Sequence, residues 1–430
     1  MTRRCLVIAD DLTGAVDTGA QFARRGLNTL LVLGLEGEID FSGYPEREVL
    51  VVSTHSRGLS PEEAFRRVSL LFDSYRQDLF PIVYKKIDST LRGNIGFETD
   101  AVLSKTGLSA AFLTPAFPEQ GRVVVGGIHL VRGIPLSLTE ISRDAVSPVK
   151  ESYVKSVLEK QSRRRIGNVD LVRVASGGES LRQAVEEIVK QGIQIVIFDA
   201  ATREDLARVA EAGFEREQIP LFIGSAGLAE EVAGGLASER TSRRFSGHEG
   251  PGPARHVFIV SGSASRVSHE QLNRVEERMK LPSFRIDRSF VEGDSRGRLP
   301  LEESLARQVS GALVRGRVIL KVTEERMLSG DPEGATLPAR ITESLGLLAG
   351  SALEKSGLDA REIVLVLFGG DSALSVLTRL RVKEVEIEGE VLKGIGIGLV
   401  KGGKWHGLRL VTKAGGFGGE DTLERIIETF

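Results

Sequence analysis

The chain has 430 residues, 41% of them apolar, which is long for one hydrophobic core and ample for two packed domains. Lys plus Arg (57) nearly balance Asp plus Glu (59), a formal charge of -2, and this argues against a nucleic-acid binder that works through bulk charge. The single cysteine excludes an intramolecular disulfide or a cysteine metal cluster, and no run reaches the ~18 apolar residues of a membrane span, so a cytoplasmic protein with no membrane partner is expected.

In chain order, Cys5–Ala9 reads as a buried strand, with Cys5 a small core residue, and Thr13–Arg25 as a helix. Strands are expected at Thr29–Leu33 and Val49–Val52. Ser60-Pro61-Glu62-Glu63 is a helix start, with a serine cap, proline in the first turn and acids behind it. Further strands are expected at Ile82–Tyr84, Ala110–Leu113, Gln194–Phe198 and Leu221–Ile223. Val123–Val125 and Ile128–Val131, around Gly126-Gly127, suggest a β-hairpin excursion reaching toward a site. Residues 238–255 lack apolar periodicity and are rich in Ser, Gly, Pro and charge, as in a linker. The pattern restarts at His256–Val260 and continues at Val318–Val322, Ile363–Phe368 and Leu408–Val411. Continuous apolar runs alternating with helices imply an α/β protein of two domains, 1–237 and 256–430, each a mostly parallel sheet flanked by helices.

Polar clusters follow several of these strands, where open α/β sheets bind ligands. Asp10 and Asp11 end the first; one can cap the helix while the other faces the crevice. Arg57 follows the third, with a fork suited to a carboxylate. After Ile82–Tyr84 comes Lys85-Lys86-Ile87-Asp88-Ser89-Thr90-Leu91-Arg92-Gly93-Asn94, cations for an anion beside acceptors and donors for hydroxyls. Strand alternation lets only one of the two lysines reach a common site. That mix suits a polyhydroxy acid.

The second half is different. Small-residue turns stand between strand and helix at Ser261–Ser265, at Gly369-Gly370-Asp371-Ser372, and at Gly415 within Lys413–Asp421. Such turns offer backbone N–H groups and a positive dipole end to phosphate. None matches the Walker pattern, and no G-x-G-x-x-G follows the first strand. The histidines show no metal-ligand spacing, and no metal ligands are assigned. An acid-binding half and a phosphate-binding half together suggest phosphoryl transfer to a hydroxyl across an interdomain active-site cleft. The alternatives are a non-catalytic sensor of sugar acid or nucleotide, and a dinucleotide-dependent oxidoreductase.

The stretches ADDLTGAVDTGAQFARRG, KKIDSTLRGNIG, TPAFPEQGR and GGIHLVRGIPLSLTEISRD resemble the N-terminal signatures of the four-carbon acid sugar kinase family. VSGSASRVSHEQL, FGGDSALSVL and KAGGFGGEDTL resemble its C-terminal ones, in the expected order. The resemblance implies an ATP-dependent kinase of tetronates such as threonate, erythronate or 3-oxo-tetronate, with Mg²⁺ on the nucleotide. It implies that Asp11, Arg57, Lys85, Lys86, Asp88 and Ser89 hold the acid sugar, with Arg92 and Asn94 in the same segment. Ser263, Gly369, Gly370, Asp371, Ser372 and Gly415 would hold ATP. Asp11 or Asp88 is the expected proton acceptor for the terminal hydroxyl. Partners are then the acid sugar and ATP, without nucleic acid; the oligomeric state, a homo-oligomer included, is left open.

Overall fold

The computed structural model describes residues 4–33, 39–144, 147–237, 255–263, 265–287, 290, 295–323 and 336–430. The chain divides into two compact units, Met1–Arg243 and Arg244–Phe430. The expected linker, 238–255, lies outside the described residues except for Arg255. Among the described residues, no helix is long and apolar enough to cross a membrane.

The first unit runs β1 (Cys5–Ala9), α1 (Leu12–Arg24), β2 (Thr29–Leu33), β3 (Val49–Ser53), α2 (Pro61–Leu71), β4 (Ile82–Lys86), α3 (Ile95–Thr106) and β5 (Ala111–Thr114). A small excursion follows, β6 (Arg122–Val125), β7 (Ile128–Val131) and β8 (Ile134–Pro135). The unit ends with α4 (Val154–Glu159), β9 (Ile166–Val169), α5 (Leu171–Ser176), α6 (Gly178–Lys190), β10 (Ile195–Phe198), α7 (Arg203–Phe214), β11 (Leu221–Gly224) and α8 (Ala226–Ala237). Its main sheet has the order β2-β3-β1-β4-β11-β5-β10-β9, all pairs parallel. Strands buried along their whole length, such as β1 and β3, need cover on both faces. Helices α1 and α8 pack together, as do α2 and α3.

Strand β1 lies between β3 and β4, so the chain winds one way to β2 and β3 and the other way from β4 onward. Connections diverge there and leave a crevice beyond the carboxyl ends of the strands. The local signals agree with these boundaries. Ser60 caps α2, its hydroxyl accepting from Glu63 N at 3.3 Å, with Pro61 in the first turn. Gly126 and Gly127 (φ 60° and 73°) form the two-residue turn between β6 and β7, a conformation that suits glycine. The Asp199 carboxylate accepts from both of their N–H groups, at 2.7 and 2.9 Å, and ties the hairpin to the end of β10.

One boundary differs usefully from the sequence expectation. Strand β4 does not stop at Tyr84 but continues through Lys85 and Lys86. Both residues pair in register with β1 on one side (Ile8, Ala9) and β11 on the other (Ile223, Gly224). Neighbouring ladders keep a charged pair extended where composition alone suggests a loop. Strand β9 was not expected; its sequence, Ile-Gly-Asn-Val, is too short and mixed to stand out.

The second unit runs β12 (His256–Ser261), α9 (Arg266–Met279), β13 (Ser283–Ile286), α10 (Ser295–Val314), β14 (Arg317–Val322), α11 (Thr336–Ser356), β15 (Ile363–Phe368) and α12 (Gly370–Arg379). It ends with β16 (Glu384–Leu392), β17 (Ile395–Lys401), β18 (Arg409–Lys413) and α13 (Thr422–Thr429). Its strand order is β13-β14-β12-β15-β18-β17-β16. The first five strands in that order are parallel; β17 is antiparallel to both of its neighbours. Val257, Ile259, Val364, Val366 and Val411 meet Leu423, Ile426 and Ile427 of α13 in one apolar cluster. Each sheet is thus mostly parallel and flanked by helices, an α/β architecture throughout.

Candidate functional site

In the first unit the site is built at the carboxyl ends of β1, β3 and β4. Asp10 and Asp11 leave β1 with different tasks. Asp11 caps α1, Oδ1 accepting from Gly14 N at 3.0 Å and Oδ2 from the Thr13 hydroxyl at 2.6 Å. Asp10 is deeper and forms a bidentate pair with Arg57, at 2.8 and 3.0 Å. Arg57 Nη2 also donates to Asp11 Oδ1 at 2.7 Å, and its Nη1 lies 3.9 Å from Asp88 Oδ1. Three carboxylates therefore surround one guanidinium. Burial opposes the Arg57 charge, but Asp10, Asp11 and Asp88 outweigh it and hold the group well above its usual range. Burial likewise opposes the Asp11 charge, and Arg57 and Lys86 reverse the effect, so its pKa is lowered.

The two lysines of β4 part company, as strand alternation requires. Lys85 is fully buried and pairs with Glu98 of α3 at 2.6 Å; its Nζ also donates to Lys86 O at 2.8 Å. Lys86 turns to the α1 side. A Cβ added to Gly14 would lie 2.7 Å from Lys86 Nζ and would also strike Asp11 Oδ1, so only glycine leaves room for the lysine there. Lys86 Nζ makes no hydrogen bond or ion pair with a described residue; its charge helps to lower the Asp11 pKa.

Beyond β4 the chain turns sharply through Leu91, a buried non-glycine residue at φ 61°. Asp88 organises this turn. Its carboxylate accepts from Arg92 at 2.9 and 3.0 Å, from Thr90 N at 3.2 Å and from the Thr90 hydroxyl. Arg92 in turn reaches Asp144 at 3.1 Å. Burial pushes the Asp88 pKa up, but the Arg92 and Arg57 charges win and hold it well below the carboxylate range. The Ser89 carbonyl is 2.8 Å from Nε2 of His129, which ties the hairpin sheet to the turn. Asn94 donates to Ser56 O and Leu59 O (3.1 and 3.0 Å) and so holds the loop that carries Arg57. His55, also on that loop, is lowered to about 4 by burial and is neutral at pH 7. A cleft of about 390 Å³ opens beside the cluster, lined by Arg57, Leu91, Gly93, Asn94, Lys150 and Gln161 among others.

Of the residues expected to act in this unit, Asp11, Arg57, Lys86, Asp88 and Arg92 come together. Lys85 is engaged by Glu98, while Ser89 and Asn94 hold neighbouring backbone. Asp10 and Thr90, named in the sequence only with their neighbours, and Asp144 and His129 belong to the same network and were not assigned to the site. Asp10 was the more legible, since it stands beside Asp11 at a strand end.

In the second unit the small-residue turns converge. They follow β12, β15 and β18, which are adjacent parallel strands. A Cβ on Gly369 would lie 3.7 Å from Ser263 Cα, one on Gly415 would strike the Ser263 hydroxyl, and one on Gly262 would strike that of Ser372. Ser268 and Gln271 of α9 stitch the third turn down: Ser268 Oγ donates to Gly415 O at 2.8 Å, and Gln271 Nε2 to Gly419 O at 2.6 Å. Gly370 and Asp371 open α12, with no side-chain cap to its N-terminus, and Asp371 is exposed. Backbone N–H groups at such converging turns suit phosphate. Lys413, at the end of β18, was not singled out and is the one buried charge among these turns.

The comparisons agree with this division. Residues 5–232 match the model of a sugar-binding N-terminal domain, and residues 258–423 that of a nucleotide-binding C-terminal domain. Among curated relatives, a D-threonate kinase of Salmonella typhimurium is 30% identical, with 98% of this chain and 96% of the relative covered. A D-erythronate kinase of Heliobacterium modesticaldum is 30% identical over 97% and 94%. A 3-oxo-tetronate kinase of Methylobacterium radiotolerans is 29% identical over 98% of each. A solved structure from Salmonella typhimurium LT2 superposes with a TM-score of 0.80 at 24% identity, covering 99% of both chains, and supports the fold. With both domain models matched in order over charge-lined and glycine-lined strand ends, the chain belongs to the four-carbon acid sugar kinase family.

Proposed function

We propose that this protein is an ATP-dependent kinase that phosphorylates the terminal 4-hydroxyl of a four-carbon acid sugar of the threonate, erythronate or 3-oxo-tetronate class. Residues 1–237 bind the acid and residues 256–430 the nucleotide. The observation that carries the reading is the cluster at the ends of β1, β3 and β4. Lys86 is a cation with no hydrogen-bonded or ion-paired partner among the described residues; its charge acts on the Asp11 carboxylate, and Arg57 links Asp11 to Asp88. That combination suits a small molecule with a carboxylate and several hydroxyls. The kinase names of relatives aligned over nearly the whole chain support the same chemistry.

Within this reading Lys86 and the Nη1 edge of Arg57 receive the substrate carboxylate. Lys85 takes no direct part, because Glu98 already pairs with it. Asp11, rather than Asp88, accepts the hydroxyl proton. Both carboxylates accept hydrogen bonds, but Arg92 and Arg57 hold the Asp88 pKa further down than that of Asp11. A weak base suffices, since phosphoryl transfer rests mainly on positioning and charge stabilisation. Arg92, Ser89 and Asn94 keep the turn and the Arg57 loop in shape. Ser263, Gly369, Gly370, Asp371, Ser372 and Gly415 receive the nucleotide through hydroxyls and backbone N–H groups.

Among the described residues, no group of three or more His, Cys, Asp or Glu is arranged to hold a metal. A Mg²⁺ arriving with the nucleotide would be held by its phosphates and by water, and would offset phosphate charge. The test is ADP release from ATP with D-threonate, D-erythronate and 3-oxo-tetronate in turn. Turnover that depends on one of these acids is expected. Binding of both ligands without ADP would replace the kinase by a sensor.

A further inference from the structure

Lys413 closes β18 beneath the third glycine turn and is fully buried. Among the described residues no carboxylate lies within ion-pair distance of its ammonium. Nζ donates instead to Ala414 O (3.2 Å) and Gly415 O (3.3 Å), and stands 4.6 Å from the centre of the Phe368 ring on β15. Charged groups on the neighbouring helices pair with one another, Arg266 with Glu270 at 2.7 Å and Arg274 with Glu424 at 2.8 Å. Asp371 and Glu420 also make no ion pair with Lys413. A buried ammonium without a counter-ion is costly, and an apolar side chain of the same length would fill the space at less cost.

What the lysine does to the turn follows from peptide geometry. In a trans peptide, the carbonyl of one residue and the N–H of the next point to opposite sides. Drawing the Ala414 and Gly415 carbonyls inward onto Nζ turns the N–H groups of Gly415 and Gly416 outward. Neither of these N–H groups donates to a described residue. The inward carbonyls are held a second time, Ala414 O by Phe417 N at 3.1 Å and Gly415 O by the Ser268 hydroxyl at 2.8 Å. Two successive outward N–H groups form an anion-binding concavity, and a cation below them in low dielectric strengthens it.

We propose that Lys413 is a positioning residue of the nucleotide site: it aims the Gly415 and Gly416 N–H groups outward, and the nucleotide phosphates supply the counter-charge its ammonium lacks. The inference rests on the nucleotide reading of this unit. A coupling to protons comes with it. Burial lowers Lys413 to about 7, so part of the population is neutral at neutral pH and binding of a phosphate draws the proton on.

The test is calorimetric titration with ATP and magnesium between pH 6.5 and 9, in two buffers of different ionisation heat, on wild type, Lys413→Met and Lys413→Arg. The ATP γ-phosphate titrates in part of this range, so the difference between proteins is the readout. Wild type should take up an extra proton and lose affinity above pH 7, by up to about tenfold per pH unit. Lys413→Met should bind roughly tenfold or more weakly at pH 7 and lose the extra uptake. Lys413→Arg should keep most of the affinity and lose the pH dependence, which a packing role would not produce. Thermal unfolding checks that both variants fold. Wild-type affinity and proton uptake in Lys413→Met would overturn this inference alone. Wild-type protein that binds no ATP at any pH would overturn the nucleotide reading and this inference with it.

Discussion

Two lysines, Lys85 and Lys413, stand near the carboxyl ends of strands in parallel arrays, each with no exposed surface. Lys85 has Glu98 at 2.6 Å; Lys413 has two carbonyls and an aromatic ring. The contrast extends to the units that hold them. The first unit arranges side-chain charges so that nearly every one is matched: Arg57 among three aspartates, Arg92 between Asp88 and Asp144, Lys85 on Glu98. The second presents mostly backbone, with one unmatched charge underneath. Side chains of fixed length and sign suit discrimination among small acids that differ in a hydroxyl. Backbone N–H groups suit phosphates common to every nucleotide.

The sharpest way to break this comparison is to remove the one acceptor assigned to chemistry. Asp11→Asn keeps a side chain able to cap α1, so the fold should be little changed. Turnover should fall by about 10² to 10⁴, the usual contribution of a positioned acid or base, with a smaller change in KM. Steady-state kinetics against the preferred tetronate measures it, and wild-type kcat would remove Asp11 from the reaction. Glu98→Gln attacks the matched charge instead. It leaves Lys85 buried with a neutral partner and should cost roughly 3–5 kcal/mol of stability, read as a lower urea midpoint. An unchanged midpoint would mean that the pair carries no such strain.

How much of this was legible in the sequence depends on the distance over which each decision is made. Local signals marked the cap at Ser60 and the turn at Gly126-Gly127, because each is settled within a few residues, whereas the end of β4 at Lys86 depended on the ladders of its neighbours. The alternation of Lys85 and Lys86 also followed from strand geometry alone. The hold of Asp10 on Arg57 spans 47 residues and that of Asp144 on Arg92 spans 52, and nothing local announces either. Strands β16 and β17 are antiparallel; β16 alternates buried and half-buried positions and Gly396 and Gly398 interrupt β17, so neither shows the continuous apolar run that marked their parallel neighbours. Lys413 was hardest of all, since its distinguishing property is a missing partner, and a sequence does not display absences.

A smaller effect sharpens the division between the two β4 lysines. Lys86→Met removes a cation that no described residue pairs with, so stability should be nearly unchanged. The Michaelis constant for the acid sugar should rise about 10- to 100-fold, the worth of a charged hydrogen bond, with less effect on the constant for ATP. Equal effects on both substrates would contradict the assignment of Lys86 to the acid.

The smallest effect separates the unmatched lysine from everything else by its sign with pH. The Lys413 pKa falls from 10.5 to about 7 on folding because burial disfavours the charged form. Between those values the unfolded chain binds the proton that the folded chain has released. Stability therefore rises with pH across that window, by at most about 1.4 kcal/mol per unit, and this contribution levels off below the folded value. Aspartates such as Asp88, held low in the folded state, act at the other end. Their stabilisation is complete above the ordinary carboxylate range and disappears only as pH falls through the lowered value. Urea midpoints of wild type and Lys413→Met at pH 7 and 9 isolate the lysine. The variant should be the more stable at pH 7, and the gap should narrow by pH 9 as the wild-type penalty declines. A constant gap would mean that Lys413 keeps its proton on folding, so that the carbonyls and the ring compensate the charge as fully as Glu98 does for Lys85.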